Sequence, residues 1–315
     1  MTKFERLATV IQGGRPDRLP ASMWFHFGGQ FLSPADQARY YLKAVIPQDW
    51  DLLKVMFEYR PAIAPLLDPN SPDDLTVLLE TTDWEEPFRR QRQCLQILAR
   101  ELQANVPIIE SGYSPWFSLL RWLGRDYEQA LLADQDVVPQ ILEKITTLTC
   151  QHVESLKGLG IHGYFHATIA ASTELYPEQD ARQTQHDQQI LLAGQDGHRF
   201  LHLHGNGIDI SRASNYAFEV LNYADRHPSN PTLAQARVLA SELSGDLSAM
   251  CLMGGICERT LTQVSSTELK RQIRQEIQTA GDHGLIISPG CTVSPSVSPG
   301  HCEAIRDVSN WRASN

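Results

Sequence analysis

The stretch His198-Arg199-Phe200-Leu201-His202-Leu203-His204-Gly205-Asn206 decides how this chain reads. Phe200 to His204 suits a strand better than a helix, and Gly205-Asn206 is a turn signal that ends it. Side chains two apart on a strand share a face, so His202 and His204 project together. Two imidazoles on one face make half of a metal site, and the missing part calls for another soft or borderline ligand. Cys291, which ends the apolar run Leu285-Ile286-Ile287-Ser288-Pro289-Gly290, is the best candidate, and nitrogen plus thiolate sulfur suits zinc. The competing reading makes the histidines ordinary hydrogen-bonded residues and the cysteine a small buried hydrophobe. Their positions along the chain decide between the two.

Working outward, seven further apolar runs read as strands: residues 19–25, 51–57, 106–110, 163–168, 219–223, 249–253 and 284–287. Helical patterns separate most of them, at residues 34–45, 84–104, 115–123, 126–133, 136–158, 177–193, 232–243 and 266–279. A helix at 3–12 precedes the set and one at 299–309 follows it. Residues 61–83, which include Asp68-Pro69-Asn70-Ser71-Pro72, read as a loop-rich insertion. Eight strands joined by connections too long for hairpins predict an α/β fold, a (β/α)8 TIM barrel with an N-terminal helix and loop insertions, as one domain over 1–315. In that fold the working residues sit where strands end. His26, Glu58, Glu110, His166, His202 with His204, Asn222 with Asp225, and Cys291 all fall at such ends.

Composition narrows the function. The 315 residues carry a formal charge of −10 with 42% hydrophobic and 20% charged residues, which gives no electrostatic footprint for nucleic acid or an anionic membrane. No run of eighteen apolar residues occurs, and Met1 to Arg6 leads into an amphipathic helix rather than an apolar signal core, so a cytoplasmic location is expected. Six cysteines without short paired spacing argue against a disulfide framework and leave Cys291 free to be a thiolate.

Several segments in order resemble the uroporphyrinogen decarboxylase superfamily over most of the chain. They are Gly14-Arg15-Pro16-Asp17-Arg18-Leu19-Pro20, Gly112 to Trp116, Gly163-Tyr164-Phe165-His166-Ala167-Thr168, Leu221-Asn222-Tyr223 with Pro231-Thr232-Leu233, Met253-Gly254-Gly255-Ile256, and Ser288-Pro289-Gly290-Cys291 followed by Pro299. The resemblance implies a (β/α)8 barrel, and either decarboxylation of uroporphyrinogen or zinc-dependent methyl transfer between a corrinoid and a thiol such as coenzyme M. The decarboxylase pattern has arginines in the loop after the first strand, where this chain has His26 and Gln30, and Glu58 stands near its aspartate position. A neutral histidine and glutamine give a polycarboxylate no fixed cations. The methyltransferase pattern is His-x-Cys-Gly on the fifth strand and a late cysteine. Here it reads His202-Leu203-His204-Gly205 with Cys291, one thiolate exchanged for imidazole.

The expectation is therefore a zinc site on His202, His204 and Cys291. Glu58 would serve as general base or fourth ligand and Asp225 as a catalytic partner, with His26, Gln30, His166 and Asn222 contacting a small-molecule substrate. A corrinoid, free or on a partner protein, would donate the methyl group, and the family makes a homodimer plausible. Three other classes compete: a metal-free lyase acting on a smaller carboxylate, a metal hydrolase, and a non-catalytic corrinoid or tetrapyrrole binder. A His-x-His pair in amidohydrolases belongs to the first strand, whereas this pair lies on the fifth.

Overall fold

The computed structural model of the chain describes residues 1–63, 72–178, 181–242 and 250–310. Seven parallel strands, paired in chain order, form one curled sheet: β1 (Leu53–Val55), β2 (Ile108–Tyr113), β3 (Gly163–Thr168), β4 (His198–Leu203), β5 (Val220–Tyr223), β6 (Cys251–Ile256) and β7 (Leu285–Pro289). Helices cross from each strand to the next, which is the wiring parallel neighbours require. Those used below are α1 (Lys3–Ile11), α3 (Pro72–Thr81), α5 (Pro115–Leu123), α6 (Glu128–Ala133), α7 (Val137–Ser155), α8 (Ala181–Ala193) and α10 (Ser266–Ala280). The architecture is α/β and TIM-barrel-like.

Eight strands are expected, and seven form among the described residues. The segment 19–25 makes only a bridge, Ala21 to Ile287 of β7. Its backbone still touches both edges of the sheet: the Ser22 amide donates to the Ile287 carbonyl at 3.0 Å, and the Asp51 amide donates to the Ala21 carbonyl at 2.9 Å. Pro20 has no amide to donate, and the Ala21 amide goes to the Asp51 carboxylate at 2.9 Å rather than to a strand. A side chain thus takes the bond a ladder would have used.

Strand alternation sorts the core into two layers. Inward residues Trp24, Leu52, Met56, Ile109, Phe165, Phe200, Val220, Cys251, Met253 and Ile286 form one buried cluster, which Leu7, Val10 and Ile11 of α1 join. The N-terminal helix therefore plugs the floor of the curl, fixed by a capping box in which Thr2 and Glu5 satisfy each other's amides. Outward residues such as Tyr164, Leu201, Leu221 and Leu252 pack under the helices.

Two boundary expectations change. The helix expected over 34–45 is α-helical only over Pro34–Tyr40 and widens to a π turn over Tyr41–Val45. Within the loop expected over 61–83, residues 64–71, Asp68 to Ser71 among them, lie outside the described residues, while α3 takes up 72–81 and the ends 61–63 and 82–83 are non-helical. Asp73 and Asp74 in the first turn of α3 suit the positive end of its dipole, and Leu75 and Leu78 are buried. The predicted strand over 249–253 begins at a residue outside the description and is observed as β6; the helices expected at 177–193 and 232–243 also touch undescribed residues.

Candidate metal centre

His202 sits at an inward position of β4, paired in register with Ala167 of β3 and Asn222 of β5. His204 follows the strand, and its amide still bonds the Thr168 carbonyl at 2.8 Å, so the two-residue alternation carries it to the same side. Gly205 then turns the chain with φ of 124° in contact with Ser172, a conformation that a side chain would strain. Cys291 arrives from the end of β7 behind Gly290. A Cβ on Gly290 would meet Ala224 Cα at 2.5 Å and the Tyr223 carbonyl at 2.6 Å, so only glycine lets the two chains pass this closely.

The three ligand atoms all lie within 4.8 Å of one another. His202 Nε2 is 3.3 Å from His204 Nδ1, and Cys291 Sγ is 3.7 Å from the same Nδ1. A tetrahedral zinc with its usual bond lengths would space its ligands at about 3.3 Å for nitrogen to nitrogen and about 3.6 Å for nitrogen to sulfur. Both measured edges match, so the donor set fits that ion in geometry as well as in chemistry.

The protonation states are set in the direction a metal needs. Asn222 donates through Nδ2 to the carbonyls of Met253 at 2.7 Å and Pro289 at 3.2 Å, which turns its amide oxygen to His202. His202 Nδ1–H donates to that oxygen at 2.6 Å, so the lone pair is on Nε2. Burial lowers His202, and burial followed by Arg125 and Arg121 pushes His204 down to about 4, so both imidazoles are neutral at pH 7. Burial acts to raise the Cys291 thiol; a protonated His202, donating through Nε2, together with the amide and hydroxyl of Thr292 outweighs burial and brings the thiol below its ordinary value, whereas beside a neutral His202 a bound metal would itself draw off the thiol proton. Neutral nitrogens and a thiolate are the binding forms.

The trio opens on a cavity of about 230 Å³. Trp24, Met56, Phe117 and Phe165 give it apolar walls; His26, Lys54, Ser111, Tyr113 and Arg121 give it polar ones. Phe117 packs on the His204 ring at 5.1 Å and Phe165 stacks on His202 at 5.6 Å, which limits rotation of both imidazoles. Lys54 is 4% exposed, and its ammonium lies 3.9 Å from the Phe165 centroid and 4.5 Å from Trp24. No carboxylate pairs with it among the described residues. Burial pushes it down to about 7, against which the charges of Cys291 and Glu58 act.

The remaining expected site residues divide. His26 lines the cavity and its Nδ1 lies 3.0 Å from Oε1 of Glu58, which is buried behind it. Asn222 touches His202 rather than the cavity. Gln30 lies in a short turn, Gly29–Phe31, and does not line the cavity. His166 is an even-numbered residue on a strand whose odd-numbered Phe165 and Ala167 face inward, so it points outward to Asp187 of α8, with Nε2 3.1 Å from Oδ1. It is placed away from any substrate in this cavity. Asp225 is also fully inside the protein and accepts from the Gly255 amide at 3.1 Å and 3.2 Å; burial raises its carboxyl well above the usual range.

Lys54, Ser111, Tyr113 and Arg121 are the cavity residues that the sequence reading passed over. Lys54 had a signal: a lone cation between Leu53 and Val55 in an otherwise apolar run. Arg121 had none, because a charged residue on an amphipathic helix usually marks the solvent face.

Comparison with solved structures finds the same chain trace in a methyltransferase from Methanosarcina mazei, with a TM-score of 0.74 at 16% identity over 98% of each chain. A B12-independent methionine synthase from Shewanella sp. W3-18-1 matches with a TM-score of 0.56 at 12% identity over 94% of each chain. At such identities these matches speak for the fold alone. No curated protein matches. The family model for uroporphyrinogen decarboxylase (URO-D) matches residues 34–310, and the chain belongs to that family.

Proposed function

We propose that this URO-D family member is a zinc-dependent methyltransferase, moving a methyl group from a corrinoid or other donor to a thiol acceptor. The observation that carries this reading is the His202–His204–Cys291 trio, whose 3.3 Å and 3.7 Å spacings suit a tetrahedral ion beside a small cavity. The fold shared with a methyltransferase from Methanosarcina mazei supports it. In this reading residues 19–25 act as the eighth stave of a closed (β/α)8 barrel, and 1–315 work as one domain.

Zinc held by two imidazoles and one thiolate leaves a fourth position where it would keep an acceptor thiol deprotonated at neutral pH. The chain's own groups supply the rest. Asn222 holds the His202 tautomer, and Phe117 and Phe165 hold the two rings. Trp24, Met56, Phe117 and Phe165 keep water from the acceptor sulfur. His26, backed by Glu58, receives the thiol proton and passes it to solvent. Lys54 and Arg121 face the cavity as cations and would bind an anionic group on the acceptor. The sulfur then bonds to the methyl carbon as the bond from carbon to donor breaks, the electron pair leaving on the donor. A cavity of about 230 Å³ falls below the span of about 300–1,000 Å³ that drug-sized ligands use. A corrinoid would therefore meet the acceptor at the mouth rather than enter.

The same two cations favour one alternative, a lyase that decarboxylates a small carboxylate without metal. Elemental analysis and turnover separate the two. Purified protein should hold one zinc per chain, lost in His202→Ala and Cys291→Ser together with thiol methylation by methylcobalamin. Zinc-free protein that remains fully active, or variants that keep activity, would overturn methyl transfer.

A further inference from the structure

Outside the sheet, α5, α6, α7 and α8 enclose a second cavity of about 240 Å³. Trp116, Leu131, Val138 and Leu142 wall it with apolar surface, and Asp134, Glu143, Gln185 and His186 join Gln183 of α8 in its polar part. Gln183 is 4% exposed, yet neither its amide oxygen nor its amide nitrogen has a hydrogen-bond partner. Buried amides are ordinarily satisfied, because the group loses its water on burial. One turn further on, Asp187 lies on the same helix face, and it meets His166 of β3. Both are fully buried, and the polar atoms of this pair are out of line for hydrogen bonds. A run of polar groups with spare capacity thus backs onto a chamber of mixed lining, apolar on the α5, α6 and α7 leucine, valine and tryptophan side.

We propose that this chamber is a second small-molecule site, and that it takes a neutral, flat compound bearing a primary carboxamide. An amide is the group that answers Gln183 with both a donor and an acceptor, while the ring of such a compound would lie against Trp116 and the leucines. Among the described lining residues the charges select against anions: Asp134 and Glu143 line the chamber, and the one basic residue, His186, stands 4.0 Å from Glu143. The site does not depend on the metal centre, since none of its lining residues belongs to the trio or to its cavity. One element does join them: Trp116 of α5 faces the outer chamber, and the next residue, Phe117, packs on His204.

Benzamide, benzoate and toluene serve as probes of the full-length protein by isothermal titration calorimetry. Benzamide should bind saturably, and benzoate about tenfold more weakly or not at all. Gln183→Leu should weaken benzamide at least about tenfold while leaving toluene binding and zinc content unchanged. If Gln183→Leu fails to fold, the similarly shaped Gln183→Met replaces it, with the same loss expected because a thioether offers a carboxamide no donor and only a weak acceptor. Cys291→Ser should bind benzamide as the wild type does, which separates this chamber from the catalytic cavity. Absence of saturable benzamide binding at millimolar concentration, equal affinity in the Gln183 variant, or loss of binding in Cys291→Ser would each overturn the proposal.

Discussion

Replacing Asn222 by alanine tests the metal centre without touching a ligand. In the wild type the amide oxygen receives His202 Nδ1–H at 2.6 Å, and the amide nitrogen holds two carbonyls at 2.7 Å and 3.2 Å. Asn222→Ala leaves the ring stacked on Phe165 but frees His202 to place its proton on either nitrogen. Loss of such a partner weakens metal binding by about 10–100-fold, or about 1.4–2.7 kcal/mol. The two carbonyls and His202 Nδ1–H all lose their partner, so the metal-free protein should lose about 3 kcal/mol of folding stability, at about 1 kcal/mol per bond. Competition against a chromophoric chelator gives the zinc dissociation constant, and denaturant unfolding of the apoprotein gives the stability. The two readouts separate the causes. If stability falls as expected while zinc affinity stays within about twofold of wild type, the tautomer argument is wrong and His202 is not a ligand through Nε2.

Four further outcomes follow from other parts of the molecule. Burial brings Lys54 down to about 7 from 10.5, whereas the unfolded chain keeps that proton up to its ordinary value. The folded apoprotein is thus penalised in full below pH 7, and the penalty fades as pH rises toward 10.5. Lys54→Met should therefore be more stable than wild type, by at most ~5 kcal/mol below pH 7 and by little near pH 10.5, as urea unfolding across pH would show. Stripping zinc with a chelator should lower the melting temperature, because at a thousandfold excess over the dissociation constant a ligand contributes about 4 kcal/mol. Gly290→Ala should weaken zinc binding more than it changes far-UV circular dichroism, since the new Cβ meets backbone at 2.5 Å and 2.6 Å and must displace the Cys291 turn. Asp225→Asn should retain zinc and turnover and unfold at equal or higher denaturant concentration near pH 7, because burial already favours its uncharged form and one acceptor oxygen for the Gly255 amide survives.

Hydrophobic runs located all seven strands that form among the described residues, because parallel strands buried on both faces read as continuous apolar segments. The eighth candidate failed on one local competition, the Asp51 carboxylate taking the Ala21 amide. Nothing in the spacing of residues 19–25 announces that a side chain from residue 51 will intervene. The helix over 72–81 was masked by Asp and Pro residues that signal a turn and also start helices. His166 was misplaced by a choice of strand end: it lies within β3, and the alternation that pairs His202 with His204 turns His166 to the opposite face.

The asymmetry between ligands and cavity has a physical origin. Ligands come from backbone positions that a strand fixes, so His202 and His204 are legible from spacing, and Cys291 from its place after β7. The cavity comes from what side chains of different elements do to one another, and Lys54 shows the difference. Its stem and ammonium lie against Trp24 and Phe165, which stand on separate segments and whose rings attract the cation. A buried ammonium resting on rings with no carboxylate beside it is held at a cost that an acidic partner would remove. An anionic group on the bound acceptor would be that partner, and its binding should therefore raise the Lys54 pKa from about 7. Affinity for an anionic thiol should then fall above pH 7 in wild type and lose that dependence in Lys54→Met, whereas a neutral thiol should show the Lys54-linked dependence in neither protein. A neutral thiol that loses affinity over the same pH range in wild type but not in the variant would place Lys54 in proton transfer instead of charge recognition.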